Sequence, residues 1–212
     1  MSATKLIVKS AYCLVLLSLL LLTLSGCAGS KSSPQQQAPT AGQINDPAVS
    51  SQPLPWNSDG IISENEYRGP QRIGSIEVFT RLEGEYVCLA MRAQNTGYIA
   101  LGIGPEIGMM GADVIMCTLN GDQAVVTDAY STGPHGPHPA DLAQGGTADI
   151  ISASGSLKDG WLTCELKRKL ITGDSRDKNL VPGDNLVIWA TGSSADITVR
   201  HKARGYGNLV LH

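Results

Sequence analysis

The chain has 212 residues and a formal net charge of −3, and 42% of its residues are hydrophobic. This length allows one domain with appendages, and the apolar fraction is sufficient for a globular core. Only 5% of the residues are aromatic and 24 are glycine, which excludes a coiled coil, a collagen-like chain and full disorder and favours a turn-rich β protein. No basic stripe is present, so we expect no nucleic-acid partner.

The N-terminus has the pattern of an export signal. Two lysines precede an apolar run over residues 11–24, which is shorter than the roughly 20 residues that a stable transmembrane helix needs. Residues 24–27 read LSGC and resemble a bacterial lipobox; the alternatives are an ordinary signal peptide with a chance cysteine or a short membrane anchor. The pattern predicts a lipoprotein signal peptide over residues 1–26, acylation of Cys27 and a lipid anchor on an extracytoplasmic membrane face.

The segment after the predicted cleavage site has the composition of a linker. Residues 28–55 consist mostly of Ser, Gln, Pro and Ala, with almost no large apolar side chains. Burial of such a segment cannot offset the entropy lost on ordering. We therefore predict a lipidated cysteine and disordered tether over residues 27–55, followed by a folded domain over residues 56–212.

The predicted domain consists of short β-type runs between turn residues, and no long segment has helical periodicity. About nine strands at this spacing predict an all-β fold, an antiparallel β-sandwich of immunoglobulin-like type. The predicted strands are residues 75–81, 85–92, 98–103, 113–119, 124–130, 148–154, 161–166, 185–190 and 209–211.

One of these strands has an unusual face. Tyr98, Ala100 and Gly102 alternate with three large aliphatic residues, so they share one side of the strand. Small residues on a strand leave room for the close approach of another group. That group is either a ligand or a bulky side chain from a neighbouring strand.

No motif for catalysis is present, since the chain lacks a GxSxG elbow, an HExxH helix and a P-loop. We therefore predict that the domain is not an enzyme. Asp174, Asp177 and Asp184 form an acidic group without the geometry of a twelve-residue calcium loop, and we expect them to cap turns.

A long loop over residues 131–146 carries His135 and His138 among glycines and prolines. Two histidines can bind a divalent metal weakly, but no third ligand is evident. We expect a solvated loop, of the kind that borders a ligand opening or a partner contact.

Two adjacent methionines, Met109 and Met110, lie in the Gly-rich connection over residues 104–113. Neighbouring residues in a loop cannot both be ordinary core residues facing one way. A thioether is a soft ligand that suits haem iron or Cu(I). The alternative is a pair of gap-filling or exposed methionines.

Several short segments together resemble the DOMON family, a β-sandwich that includes the cytochrome domain of cellobiose dehydrogenase, plant auxin-induced b-type cytochromes and the N-terminal region of dopamine β-monooxygenase. The resemblance covers most of residues 56–212 and rests on the order and spacing of the segments. They are NTGYIALGIG (95–104), GMMGADVIMC (108–117), DAY (128–130), RKLITGDSRDKNL (168–180), LVIWA (186–190) and HKARGYGNLVL (201–211).

The resemblance implies a haem site. In haem-binding members a methionine from the Gly-rich connection and a late histidine ligate haem b, which here implies Met109 and His201 as iron ligands, with Met110 as the alternative to Met109. Thioether and imidazole together give six-coordinate iron, which is suited to electron transfer. No CxxCH motif is present, so the haem would be non-covalent.

The same resemblance assigns roles around the haem. The face with Tyr98, Ala100 and Gly102 would form one wall of an apolar slot. One or two of the cations Arg200, Lys202 and Arg204 would pair with the haem propionates; the alternative is a plain solvated edge.

Three cysteines, Cys88, Cys117 and Cys164, lie inside predicted strands. An odd number allows at most one disulfide among them. The sequence leaves open buried thiols, a Cys117–Cys164 pair and a Cys88–Cys164 pair.

Three functions compete at this point. The first is a membrane-tethered b-type cytochrome module that exchanges electrons with a redox partner, either a membrane cytochrome or an extracytoplasmic oxidoreductase. The second is a cell-surface module that binds carbohydrate or another small ligand, and the third is a structural surface lipoprotein. The resemblance favours the first, and the low number of aromatic residues speaks against a sugar platform.

Overall fold

The structure is a computed structural model that describes residues 55–94 and 96–212. These residues form mainly β-strands. The strands are β1 (Arg68–Ile73), β2 (Ile76–Glu83), β3 (Tyr86–Gln94), β4 (Tyr98–Ile103), β5 (Asp113–Asn120), β6 (Gln123–Tyr130), β7 (Ser152–Lys158), β8 (Trp161–Lys169), β9 (Gly183–Gly192) and β10 (His201–Leu211). A short 3₁₀ turn, Asp141–Gln144, follows β6.

Two five-stranded antiparallel sheets form a β-sandwich, which confirms the predicted fold class. The first sheet has the order β1-β2-β3-β8-β7 and the second has the order β10-β9-β4-β5-β6. Inward-facing aliphatic side chains from both sheets form the main core, because alternate residues of a strand point to the same face.

The described residues all fall within the unit Ser50–His212. None of them forms a helix that is long and apolar enough to span a membrane. The predicted signal peptide, Cys27 and nearly all of the predicted tether lie outside the described residues.

Three strands differ from their prediction. β7, predicted over residues 148–154, is shifted by four residues to Ser152–Lys158. β1 was not expected, because its sequence contains Pro70 among charged residues; it lies at the edge of its sheet and has an irregular register at its start, where proline is tolerated. β10 is much longer than the predicted segment 209–211. Its glycines hide the strand pattern, yet one of them is required: a Cβ on Gly207 would lie 2.3 Å from Cγ2 of Ile73.

A disulfide joins the two sheets. Cys117 of β5 is bonded to Cys164 of β8, with their Cα atoms 6.5 Å apart. Cys88 of β3 is a buried free thiol, and burial raises its pKa to about 12. The structure thus selects the Cys117–Cys164 pair from the alternatives that the sequence left open.

A second apolar cluster lies on the outer face of the second sheet, separate from the main core. It is formed by small and medium-sized side chains: Tyr98, Ala100, Ala112, Val114, Met116 and Ala129, with Ile188, Ala190 and Ile197 packed against them. An outer face of a sandwich is usually polar, since it meets water. This outer face is apolar where a polar face is usual, and it is therefore suited to contact with another apolar group.

Candidate functional site

A cavity of about 1090 Å³ lies over the second apolar cluster. This volume is at the upper limit of ordinary small-molecule sites, which measure about 300–1,000 Å³. Strands β4, β5, β9 and β10 contribute to its lining, together with the β4–β5 connection, the loop over residues 131–146 and the segment before β10. The lining residues include Tyr98, Ala100, Gly102, Met109, Val114, Met116, Pro134, His135, His138, Ile188, Trp189, Ala190, Ile197, Arg200, His201, Arg204 and Tyr206.

The predicted face of β4 lies in this cavity. Tyr98, Ala100 and Gly102 all contribute to the lining. A Cβ on Gly102 would lie 2.6 Å from Cγ1 of Ile188, so the glycine also accommodates a side chain of the neighbouring strand β9. Both alternatives for this face therefore apply: a neighbouring strand packs over part of it, and the rest is open to a ligand.

The two adjacent methionines have different surroundings. Met109 lines the cavity, whereas Met110 is not among the lining residues. The backbone N–H of Met109 donates a 3.1 Å hydrogen bond to the carbonyl of Pro134, and the N–H of Met110 donates one of 3.0 Å to Ile107 within the same connection. The first bond attaches the Met109 end of the connection to the loop over residues 131–146.

A β-bulge brings His201 to the cavity. His201 lies opposite Gly192, while Ala203 lies opposite Thr191, so two steps along β10 match one step along β9. Lys202 is the extra residue of this bulge. In a regular strand His201 and Arg204 would point to opposite faces, but with the bulge both line the cavity.

Two of the three predicted cations lie at the cavity. Arg200 and Arg204 are lining residues, and Lys202 is exposed and does not contribute to the lining. Nη1 of Arg204 lies 3.3 Å from Nε2 of His201. The cavity mouth therefore carries positive charge beside an apolar floor.

Two histidines of the 131–146 loop also line the cavity, a position that sequence reasoning did not assign to them. His135 is exposed and His138 is half-buried. Nδ1 of His138 is buried without a hydrogen-bond partner among the described residues. Burial lowers the pKa of His138, and the charge of His201 lowers it further. The Gly- and Pro-rich composition of the loop was the only sequence signal for this role.

The segment before β10 is held over the floor by a side chain. The hydroxyl of Tyr98 donates a 3.3 Å hydrogen bond to the carbonyl of Val199. Tyr98 is buried, and burial raises its pKa, which keeps the phenol protonated as a donor. The bond connects the floor of the cavity to the segment that leads into His201.

Residues 75–192 match a family model described as DOMON domain. No curated protein matches the chain at a significant level. Among solved structures, the cytochrome domain of Myriococcum thermophilum cellobiose dehydrogenase is similar, with 12% identity, a TM-score of 0.49 and coverage of 65% of this chain and 75% of that chain. The cytochrome b domain of pyranose dehydrogenase from Coprinopsis cinerea is also similar, with 13% identity, a TM-score of 0.48 and coverage of 63% and 75%.

Proposed function

The chain belongs to the DOMON domain family, and on that premise we propose that its cavity binds haem b and that the protein transfers electrons to or from a redox partner. One observation carries the proposal. Met109 and His201 are 92 positions apart in the sequence (201 minus 109), yet both line the same apolar cavity.

The residues of the cavity fit the chemistry of haem b. Thioether sulfur and imidazole nitrogen are established axial ligands of haem iron. The porphyrin is large and apolar, which suits a cavity of about 1090 Å³ with a floor of small aliphatic side chains. Its propionates are anionic, and Arg200 and Arg204 supply cations at the same cavity.

The proposed ligands define what the site does. Bound haem supplies a one-electron Fe(III)/Fe(II) couple. Met109 and His201 would hold the haem iron, and the thioether of Met109 would favour the reduced state and raise the potential. Tyr98 and the apolar floor would exclude water from the site. The role that follows is electron transfer without catalysis by this domain.

The N-terminal region extends the proposal to location and partner. Acylation of Cys27 would anchor the protein to an extracytoplasmic membrane face, because acyl chains bind stably once two or more are present. The predicted tether over residues 27–55 would give the domain the reach of a flexible linker. A membrane cytochrome or an extracytoplasmic oxidoreductase is the partner that this arrangement suits.

Sugar binding is the weaker alternative for this cavity. Flat sugar faces stack on exposed aromatic rings, and a platform needs several of them. In the part of the chain that the structure describes, Tyr206, at 63% relative exposure, is the one aromatic residue with a largely exposed side chain. A single ring does not make a platform.

An absorption spectrum tests the proposal. The full-length protein, expressed with its own N-terminus and purified in detergent, is given haem and passed over a desalting column. We expect haem to stay with the protein and to give a sharp Soret band with resolved α and β bands after dithionite reduction. Haem that separates from the protein on the column contradicts the proposal.

A further inference from the structure

A cluster of buried carboxylates lies among β5, β6 and the β8–β9 connection. Asp113 begins β5, Asp128 lies in β6 and Asp177 lies in the connection before β9. Each of the three contributes one carboxylate oxygen, and these oxygens lie within 4.8 Å of one another. Like charges at this distance repel strongly in a low-dielectric environment. The negative charge of the cluster therefore requires a nearby cation or hydrogen-bond donors to stabilise it.

A fourth carboxylate lies beside this cluster and has no partner. Asp141, the first residue of the 3₁₀ turn, is 0% exposed, and neither of its carboxylate oxygens has a hydrogen-bond partner within the described residues. Oδ1 of Asp113 and Oδ1 of Asp128 are likewise buried without a partner there. Both oxygens of Asp177 also lack a hydrogen-bond partner there. Buried polar groups are almost always satisfied, so six such oxygens in one region point to a ligand that binds here.

The protein itself supplies one buried cation to the cluster. Nη1 of Arg168 donates a 2.7 Å hydrogen bond to Oδ2 of Asp113, and Nη2 lies 3.2 Å from Oδ2 of Asp177. The backbone N–H of Asp149 donates a 3.0 Å hydrogen bond to Oδ2 of Asp128, and that of Lys178 donates a 3.0 Å hydrogen bond to Oδ2 of Asp113, the oxygen that Arg168 also contacts. Among the described residues, Arg168 is thus the one cation that forms ion pairs with any of these four carboxyl groups.

The electrostatics of Asp141 agree with this count. Burial raises the pKa of Asp141 to about 7, and the charges of Asp128, Asp177 and Asp113 contribute in the same direction. The four carboxylates therefore act on one another as a group. A positive ion bound between them would relieve both the burial and the repulsion.

We propose that Asp113, Asp128 and Asp177 form a Ca²⁺ site, with the neighbouring Asp141, whose oxygens lie outside the 4.8 Å group, as a fourth ligand that moves in when the ion binds. Ca²⁺ takes six to eight oxygen ligands, carboxylates above all, in flexible geometry. Zn²⁺ prefers histidine and cysteine, which do not belong to this cluster, and Mg²⁺ keeps several waters and uses one or two carboxylates. The site is independent of what the cavity binds.

The position of the site indicates what the ion would do. Asp141 lies near the end of the loop over residues 131–146, and the same loop walls the cavity through Pro134 and His138. Asp113 and Asp128 belong to paired strands of the second sheet. A Ca²⁺ ion bound to all of them would attach the loop to the sheet and to the β8–β9 connection.

Calcium titration of the full-length protein tests the proposal. The protein is purified in detergent, stripped with EGTA, freed of chelator, and titrated with CaCl₂ in a calorimeter and in thermal unfolding. We expect one Ca²⁺ per chain with a dissociation constant of about 1 mM or tighter, which is the weak limit for extracellular modules. The Tm should rise with Ca²⁺ concentration. Mg²⁺ should bind at least about tenfold more weakly, because it requires a stricter octahedral geometry. No saturable binding and no change of Tm up to about 10 mM Ca²⁺, tenfold beyond that limit, overturns the proposal.

Matched variants locate the ion. We expect Asp141→Asn and Asp128→Asn each to weaken Ca²⁺ binding at least about tenfold, as loss of metal-site residues commonly does. Asp122→Asn changes an exposed carboxylate in the β5–β6 turn and should leave binding unchanged. Unaltered binding in both cluster variants overturns the assignment. If one cluster variant does not fold, the other variant and the wild-type titration still decide the question.

Discussion

Nη1 of Arg204 lies 3.3 Å from Nε2 of His201, across the β-bulge at the start of β10. Arginine is a donor only, so this hydrogen bond requires Nε2 to be unprotonated. His201 must then carry its proton on Nδ1 when it is neutral. Arg204 thereby favours the tautomer in which the Nε2 lone pair accepts its hydrogen bond, and that bond must break before Nε2 can bind a metal.

The tautomer of His201 provides the first prediction. In haem-free protein at about pH 8, where an ordinary histidine is neutral, we expect the Nδ1–H tautomer of His201 to predominate. Arg204→Leu removes the donor and should shift the population towards Nε2–H. Long-range ¹H–¹⁵N correlation spectra measure both states. Lys202→Leu, an exposed change at the adjacent bulge position, is the control, and a predominant Nε2–H form in the wild type would show that the hydrogen bond is absent in solution.

The proposed haem ligands give a second prediction. His201→Ala should abolish haem retention, and Met109→Ala should open a coordination position and lower the potential by on the order of 100 mV, within the roughly 0.8 V range that axial ligands control. Spectroelectrochemical titration measures the change. Met110→Ala and His135→Ala are the matched controls, and both should retain the low-spin spectrum of the wild type.

The spectra of the two methionine variants also show which methionine is the iron ligand. If Met110→Ala gives the high-spin spectrum and Met109→Ala does not, Met110 is the ligand and the connection rearranges when haem binds. If neither methionine affects the spectrum, thioether ligation is wrong, and His138, which lines the same cavity, becomes the residue to substitute.

The disulfide between the sheets gives a third prediction. Cys117 and Cys164 are 47 positions apart, and closing a loop of this length stabilises the folded state by about 3–5 kcal/mol in the chain-entropy model. A Cys117→Ala/Cys164→Ala double variant should lose about this free energy of unfolding in urea denaturation. Reduction of the wild type should reproduce the loss. Reduction should leave the stability of the double variant unchanged.

Cys88→Ala is the control for the disulfide. Cys88 is a buried free thiol, so its replacement removes one small side-chain group from the core and no cross-link. We expect a loss of about 1 kcal/mol, on the order of one buried methylene with its cavity. A loss as large as that of the double variant would indicate that Cys88 takes part in the cross-link in solution.

The charged pair Glu83–Lys167 gives a fourth prediction, on pH dependence. Nζ of Lys167 donates a 2.8 Å hydrogen bond to Oε2 of Glu83, and this bond is the main reason that the pKa of Glu83 is lowered. A carboxyl whose pKa is lower in the folded state adds stability above its unfolded-state pKa of about 4.3 and loses it as pH falls through the folded pKa.

Substitution of Glu83 removes this contribution together with the 2.9 Å ion pair between Oε1 of Glu83 and Nε of Arg81. Glu83→Gln should lower the free energy of unfolding at neutral pH by at most about 1 kcal/mol, because the pair is partly screened by solvent. The difference from wild type should shrink as pH falls below about 4.3 and vanish once the pH lies below the lowered folded-state pKa of Glu83. Glu64→Gln, at an exposed position that forms no ion pair within the described residues, should show neither effect. A difference that does not shrink as pH falls would indicate lost packing, not lost charge.

The aliphatic alternation in β4 was sufficient to predict that Tyr98, Ala100 and Gly102 share the face opposite the large aliphatic residues. Turn residues between the strands were sufficient to predict an all-β domain. The same local pattern failed at β1 and β10, where Pro70 and Gly207 interrupt the signature of a strand. These residues are accommodated by an edge position and by a neighbouring side chain, Ile73, and neither is visible in the strand's own sequence.

The candidate haem site was predicted only in part. The order of the motifs singled out Met109 and His201, but not the bulge at Lys202 that brings His201 to the face of Arg204. The sequence predicted that the 131–146 loop borders a ligand opening or a partner contact, but it did not assign His138 to the cavity that this residue lines. Asp177 was expected to cap a turn, and it lies instead in a carboxylate cluster with Asp113 and Asp128.

The sequence by itself determined the period of each strand, the sites of its turns and the family to which the chain belongs, because side-chain alternation and turn preference are set by residues close together in the chain. Only the tertiary structure decided that Cys117 pairs with Cys164, and that carboxylates from three separate segments share one buried site. Strand order, sheet pairing and bulges arise from burying the two sheets against each other. The free energy gained by burying the two sheets depends on contacts across the whole domain, so it cannot be read from the sequence of one segment.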